Sequence, residues 1–126
     1  FNFIVEDLLS LPRDSGVVVE GLRLLPHLVK PLLSAPTHAV WLLPAPDFRR
    51  QVIESRGGST WSFLAKTSDP QKALHNLLER DRMFTGALRE ETARLGLSAI
   101  EVDVSTSEDD LAKQVSRMFG LTPMKR

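Results

Sequence analysis

The spacing of apolar and polar positions along the chain predicts three short strands separated by helices. Largely apolar runs at residues 17–20, 38–43 and 98–103 are rich in residues that strands favour, and unbroken apolar runs are typical of strands covered on both faces. Helical spacing or helix-end signals occupy the other stretches, at residues 3–11, 24–33, 47–56, 70–95 and 107–120. The chain is therefore predicted to alternate between strands and helices.

Residues that cap helices mark the last two predicted helices. Asp69 is a good N-cap with Pro70 at the first helical position, and Gly96 is a natural C-cap. Ser107 and Asp110 have the spacing of a capping box at the start of the last helix. Within the long helix, five apolar residues recur at helical spacing and are expected to form its buried face: Leu74, Leu77, Phe84, Leu88 and Leu95.

Strands that alternate with helices favour right-handed crossovers, and hence a three-layer α/β fold with a parallel sheet and helices on both faces. We expect residues 1–126 to form a single α/β domain. In such sheets ligands bind beyond the carboxyl ends of the strands. Glu20, the segment PAPDFRR at residues 44–50 and Asp103 all follow predicted strands, so they are expected to share one edge.

Charge and composition limit the classes of function. Sixteen lysines and arginines balance sixteen acidic residues, so no overall field attracts nucleic acid or an anionic membrane. The absence of cysteine excludes disulfides and thiolate chemistry and suits a cytoplasmic location. No apolar run is long enough to span a bilayer. Because the sequence begins with Phe1 and carries no basic signal-peptide start, we expect it to be the later portion of a longer polypeptide.

Four segments in order resemble the later part of a P-loop kinase. They are VVVEGLRLLPHLV, WLLPAPDFRRQVIESRG, LLERDRMF and IEVDVSTSEDDLAKQVSRMFGL. The chain is similar in these segments to nucleoside and nucleotide kinases, including uridine-, cytidylate- and shikimate-kinase-like enzymes. The resemblance implies a partial P-loop NTPase-like domain that uses ATP and Mg²⁺ to phosphorylate an unknown small-molecule acceptor. The phosphate-binding motif G-x-x-x-x-G-K-S/T does not occur, so the chain by itself is expected to be inactive.

The resemblance also implies a metal-binding role for Glu20. A carboxylate near the β- and γ-phosphates can hold Mg²⁺, here through water. The resemblance assigns this role to the glutamate of the Glu-Gly pair that ends the first predicted strand. The alternative is that Glu20 caps the following helix or pairs with an arginine such as Arg23.

Arginines follow the second predicted strand, where the resembling kinases close a lid over the nucleotide. Arg49, Arg50 and Arg56 are therefore candidate catalytic residues, because guanidinium groups stabilise charge on a transferring phosphoryl group. Arg49 and Arg56 are two helical turns apart and are expected to share a face. The alternative is a solvated helix with a local pair between Arg50 and Glu54.

Three further sets of residues have weaker assignments. Asp103 and Ser105 follow the third predicted strand, where the family contacts adenine, although a simple turn is an equally good interpretation. Arg80 and Arg82 are interpreted as surface salt-bridging residues. The histidines and tryptophans show no ligand spacing and are interpreted as structural: His27, His38, His75, Trp41 and Trp61.

Two functions from different classes remain open. The first is part of an ATP-dependent small-molecule kinase, and the second is a non-catalytic kinase-like module that binds a ligand or a protein. In both cases a small sheet leaves an apolar edge uncovered. We therefore expect a homo-oligomer or association with the preceding part of the polypeptide.

Overall fold

The chain forms a mixed α/β domain in a computed structural model that describes residues 1–14 and 16–121. Within these residues a two-stranded sheet is combined with five α-helices and four short 3₁₀ turns. The strands are β1 (Val40–Pro44) and β2 (Ser98–Val102). The helices are α1 (Asn2–Ser10), α2 (Pro26–Val29), α3 (Pro46–Ser55), α4 (Pro70–Leu95) and α5 (Glu108–Met118). The 3₁₀ turns are Lys30–Leu32, Pro36–His38, Gly58–Thr60 and Leu64–Lys66.

The two strands pair in parallel, as the alternating pattern predicts for residues 38–43 and 98–103. Leu42 lies opposite Ile100 in the register, and Pro44 lies opposite Val102. The connection between the strands contains α3 and α4, and α4 contacts both strands. A parallel pair needs a crossover of this kind, because the chain must return to the starting edge of the sheet before the second strand begins.

The prediction of a strand at residues 17–20 is wrong. These residues have no regular secondary structure, and within the described residues their backbone groups make no backbone hydrogen bond. The side chain of Val18 is 91% exposed, and Val17 and Val19 are exposed as well. A strand needs a neighbour to pair with, and none lies beside this segment in the described chain.

Local capping chemistry places the ends of α4 where the sequence predicts them. The Asp69 carboxylate accepts a hydrogen bond from the Lys72 amide at 3.0 Å, and Pro70 is the first helical residue. Gly96 ends the helix with φ of 67°, in the left-handed region that glycine adopts without strain. Ser107 caps α5 in the same manner, accepting from the Asp110 amide at 3.1 Å.

The buried face of α4 differs from the prediction at one position. Leu77 is buried as expected, but Phe84 is 46% exposed and the neighbouring Thr85 is buried instead. Thr92 is also buried, and it lies on the same face, seven residues after Thr85. Phe84 lies to one side of this face, and a small polar residue takes the buried position. Thr92 satisfies its hydroxyl by donating to the Leu88 carbonyl at 2.8 Å.

A buried apolar cluster joins α3 to α4. Its buried members are Ile53 on α3, Leu64 in a 3₁₀ turn and Leu77 on α4. Partly buried residues pack around these three: Trp61, Ala73, Leu74 and Leu78. This cluster fixes α3, the helix that carries the predicted lid arginines, against the longest helix of the domain.

The Asp69 cap can be tested by substitution. Asp69→Ala should lower the free energy of unfolding by about 1 kcal/mol, because an amide in the first turn of α4 loses its acceptor. Ser68→Ala is a matched control, since Ser68 is exposed and immediately precedes the cap. Urea unfolding followed by circular dichroism measures both, and equal stabilities of the two variants would contradict the capping role.

Candidate functional site

The carboxyl ends of both strands lie together at one edge of the sheet. The Ala45 amide, just past β1, donates to the Val102 carbonyl at the end of β2 at 2.8 Å. Helix α3 begins at the next residue, Pro46, so its first turns stand at this edge. The sheet edge predicted to carry the ligand crevice is thus followed directly by the arginine-bearing helix.

An open cleft of about 390 Å³ lies between α3 and α4, beside the end of β1. Pro44, Pro46, Leu78 and Thr85 form much of its wall. Its charged lining comprises three arginines and four carboxylates, with one histidine: Arg49, Arg50, Arg82, Asp47, Glu54, Glu79, Asp81 and His75. The cleft therefore places both signs of charge around a partly apolar wall.

Asp81 joins the two walls of the cleft. Its Oδ2 accepts a hydrogen bond from Arg49 Nε at 2.6 Å, which links α3 to α4. Its Oδ1 accepts a second, from Arg80 at 2.8 Å. Burial by itself raises the pKa of this carboxyl, but the hydrogen bonds from Arg80 and Arg49 outweigh burial and hold the pKa below its usual value. At neutral pH Asp81 is therefore ionised, and each of its carboxylate oxygens accepts a hydrogen bond from an arginine.

Arg50 is the member of the predicted arginine cluster that faces the cleft without an internal partner. Its side chain is exposed, lines the cleft, and makes no ion pair within residues 1–14 and 16–121. The alternative pairing with Glu54 is therefore not formed, although Glu54 lines the same cleft. Of the three arginines, Arg50 is the one that lines the cleft and has no ion-pair partner among the described residues.

Arg56 lies in a different environment from Arg49. Helix α3 ends at Ser55, and Arg56 follows as its C-cap. The guanidinium lies over the Trp61 ring, 5.3 Å from its centroid, which is the geometry of a cation–π contact. Although Arg49 and Arg56 are two turns apart, they contact different partners, and Arg56 does not line the cleft. Its catalytic role stays a prediction.

Asp103 and Ser105 form a tight turn after β2. Asp103 Oδ1 accepts from the Ser105 amide at 2.8 Å, from Ser105 Oγ at 2.6 Å and from Thr106 Oγ1 at 3.1 Å. The hydrogen bond from Ser105 Oγ is the main cause that lowers the pKa of Asp103. The geometry is that of a side chain that closes its own turn. Ser105 also lines a separate depression against α5, so this turn and the arginine cleft are two sites rather than one.

Glu20 lies in the exposed segment after the valines. It forms neither a hydrogen bond nor an ion pair with any other described residue, so neither the helix cap nor the pair with Arg23 is formed. In the described part of the chain, no group of three or more potential ligands is placed to hold a metal ion. A magnesium role for Glu20 therefore stays a prediction that depends on phosphate oxygens and water as the other ligands.

The residues interpreted as structural have internal partners. Arg80 and Arg82 pair with Asp81 and Glu79 on the surface of α4, as predicted. His27 Nδ1 lies 2.9 Å from Glu91, and His38 Nδ1 lies 3.0 Å from the Ser34 hydroxyl. Trp41 Nε1 donates to the Leu24 carbonyl at 2.9 Å. His75 differs from these, because it lines the cleft.

Comparisons with known proteins add no relative. No family model, no curated protein and no solved structure matches the chain. Among the described helices, none has the length and apolar character needed to cross a membrane. The site is therefore interpreted from its own geometry.

Sequence reasoning missed the residue that organises the cleft. Asp81 lies between two arginines, and this local pattern indicates only a charged helix surface. Its contact with Arg49 spans 32 positions of sequence. The one signal in the sequence was that position 81 lies seven residues from both Leu74 and Leu88, on the predicted buried face of α4. A carboxylate on a buried face needs a partner.

Proposed function

We propose that this chain forms the arginine-bearing side of an ATP-dependent small-molecule phosphotransferase of the P-loop kinase type. The observation that carries the proposal is the position of Arg50. It projects into a cleft from a helix that starts at the carboxyl edge of a parallel strand pair, where α/β sheets bind ligands. The phosphate-binding loop is then supplied by a part of the protein outside this sequence.

In this proposal the two strands belong to a larger three-layer parallel sheet with helices on both faces. Each strand of a two-stranded sheet has one edge without a neighbour. These free edges support a sheet that is completed by another segment of the same protein.

ATP and Mg²⁺ would be held jointly by this chain and the phosphate-binding loop. ATP supplies the phosphoryl group. Arg50 fits the phosphate end, because a guanidinium with no internal partner can form two parallel hydrogen bonds to phosphate oxygens. Mg²⁺ commonly takes one or two carboxylates and completes its shell with water and phosphate oxygens, which a single carboxylate such as Glu20 allows. The apolar cleft wall would exclude water from part of the ligand.

The proposal is tested in the protein encoded by the complete reading frame. Arg50→Ala should weaken the binding of Mg·ATP about tenfold, because charge-assisted hydrogen bonds to phosphate are lost. The change should also slow ATP turnover. Isothermal titration calorimetry and a coupled ATPase assay measure the two effects.

Arg89→Ala is the matched control. Arg89 is an exposed arginine whose partner is Glu101, and it does not line the cleft. It should bind Mg·ATP as tightly as the unmodified protein. Equal affinities for the Arg50 and Arg89 variants would contradict the proposed site.

A second candidate function is a non-catalytic interaction module with the same fold. The observation that favours it is the exposed apolar segment at residues 17–19, which lies outside the sheet. The sequence of the upstream reading frame separates the two candidates. A G-x-x-x-x-G-K-S/T motif after a strand supports the kinase, whereas its absence, together with no binding of Mg·ATP, supports the module.

A further inference from the structure

We propose that Asp81 is a positioning residue that holds Arg49 over the cleft and gives it up to an anionic group of the ligand. The inference rests on the proposed function, because it assumes that the cleft receives a phosphate or a similar anion. It adds a second arginine to the ligand site and a residue, Asp81, that controls when that arginine is available.

The two oxygens of Asp81 are divided between two arginines. Oδ2 accepts from Arg49, whereas Oδ1 accepts from Arg80 Nε at 3.2 Å and from an Arg80 terminal nitrogen at 2.8 Å. When Arg49 leaves, Asp81 keeps its contact with Arg80. The partly buried carboxylate is then not left unpaired, which would otherwise cost much of its desolvation energy.

Only the Arg49 side chain has to move. Its amide is fixed in α3 by a hydrogen bond to the Ala45 carbonyl at 2.9 Å, and Ile53 anchors the same helix in the core. The Arg49 side chain is 31% exposed and lines the cleft, so its guanidinium is already in contact with the space that a ligand would occupy. A rotation of the side chain is much faster than the motion of a helix.

An anionic ligand competes with Asp81 for the same guanidinium. A phosphate carries more charge than a carboxylate and accepts bidentate hydrogen bonds from arginine. The Asp81 carboxylate also belongs to a lining with four acids and three arginines, and it therefore repels an incoming anion. Removing the charge of Asp81 should consequently help anion binding, although it removes a link between α3 and α4.

Loss of the Asp81 charge is thus expected to lower stability and to raise the affinity for an anion, and these opposite effects can be tested. Inorganic pyrophosphate is titrated, at low ionic strength, into the protein encoded by the complete reading frame. The Nε–H resonances of the arginines and the backbone amides of α3 are followed by NMR. Asp81→Asn should bind pyrophosphate about three- to tenfold more tightly than the unmodified chain, because the neutral amide competes for Arg49 more weakly than the carboxylate does. A purely structural role of Asp81 predicts lower stability with unchanged or weaker binding.

Arg80→Ala provides the opposite change. Arg80 is 71% exposed, so the substitution should leave the fold intact. Asp81 would then depend on Arg49 alone, and pyrophosphate should bind about threefold more weakly. Arg89→Ala should have no effect, because neither Arg89 nor its ion-pair partner Glu101 lines the cleft.

The outcomes separate this inference from the proposed function. If Arg50→Ala weakens pyrophosphate binding while Asp81→Asn does not tighten it, the role of Asp81 is overturned and the anion site remains. If pyrophosphate does not bind, or binds equally to every variant including Arg50→Ala, both proposals are overturned. Tighter binding by Asp81→Asn with weaker binding by Arg80→Ala supports the inference.

Discussion

Ile53→Ala is expected to lower the free energy of unfolding by about 2–5 kcal/mol. Ile53 is fully buried and packs with Leu64 and Leu77 where α3 meets α4. The substitution removes three carbon atoms and leaves a cavity that the two flanking elements can close only in part. In a domain of this size, such a loss is a large fraction of the total stability. Urea unfolding monitored by circular dichroism gives the value directly.

Two variants on the same helix control this measurement. Ile53→Val removes a single carbon and should cost about 0.5–1.5 kcal/mol. Gln51→Ala is exposed and should change stability by no more than about 0.5 kcal/mol. If Ile53→Ala costs no more than Gln51→Ala, the contact between α3 and α4 does not anchor the arginine helix, and the geometry of the cleft is wrong.

Asp81→Asn is expected to lower the free energy of unfolding at pH 7 by about 1–3 kcal/mol. The asparagine keeps the shape of the side chain but loses the charge that Arg49 and Arg80 contact. The Asp81 side chain is only 17% exposed, so solvent screens this loss weakly. The same variant is expected to bind pyrophosphate more tightly, so stability and affinity should change in opposite directions.

The pH dependence of this difference has a definite sign. The pKa of Asp81 is lower in the folded chain than its ordinary value of 3.8. A lowered pKa contributes stability that is present above the ordinary value and is lost as the pH falls through the folded value. The gap in unfolding free energy between the unmodified chain and Asp81→Asn should therefore be largest near neutral pH and shrink below about pH 4.

Taking the difference between the two proteins cancels the other acidic groups that titrate in the same range. Glu79, Glu101 and Asp103 also have lowered pKa values, but they are present in both proteins. Denaturant unfolding at pH 7 and again at pH 3 is sufficient. A gap of equal size at both values would show that Asp81 acts through its shape and packing rather than through its charge.

The ends of α4, the start of α5 and the pairing direction of the strands were determined by the sequence alone, because each follows from local chemistry. Asp69, Gly96 and Ser107 act within four residues of themselves, since each satisfies or ends the backbone of its own helix. The parallel pairing of β1 and β2 follows from the helical connection between them. The caps involve only residues that are close together in sequence, so the sequence is sufficient to predict them.

Patterns that required a neighbour were decided by the tertiary structure. The valines at residues 17–19 have strand propensity, but propensity does not supply a partner for the backbone, and the segment lies outside the sheet. Thr85 replaces Phe84 on the buried face of α4, because helical spacing locates a face only to within one neighbouring position.

The arginine cluster shows the same division most clearly. The sequence determined that Arg49, Arg50 and Arg56 lie on or next to one helix that follows a strand. Only the folded chain decided that Arg49 binds Asp81, that Arg56 covers Trp61 and that Arg50 faces the cleft. The hydrogen bond from Arg49 to Asp81 joins α3 to α4 and links two residues that are 32 positions apart in sequence. The energy of such an ion pair depends on the distance between the charges and on their burial, and the spacing of residues along the chain gives neither.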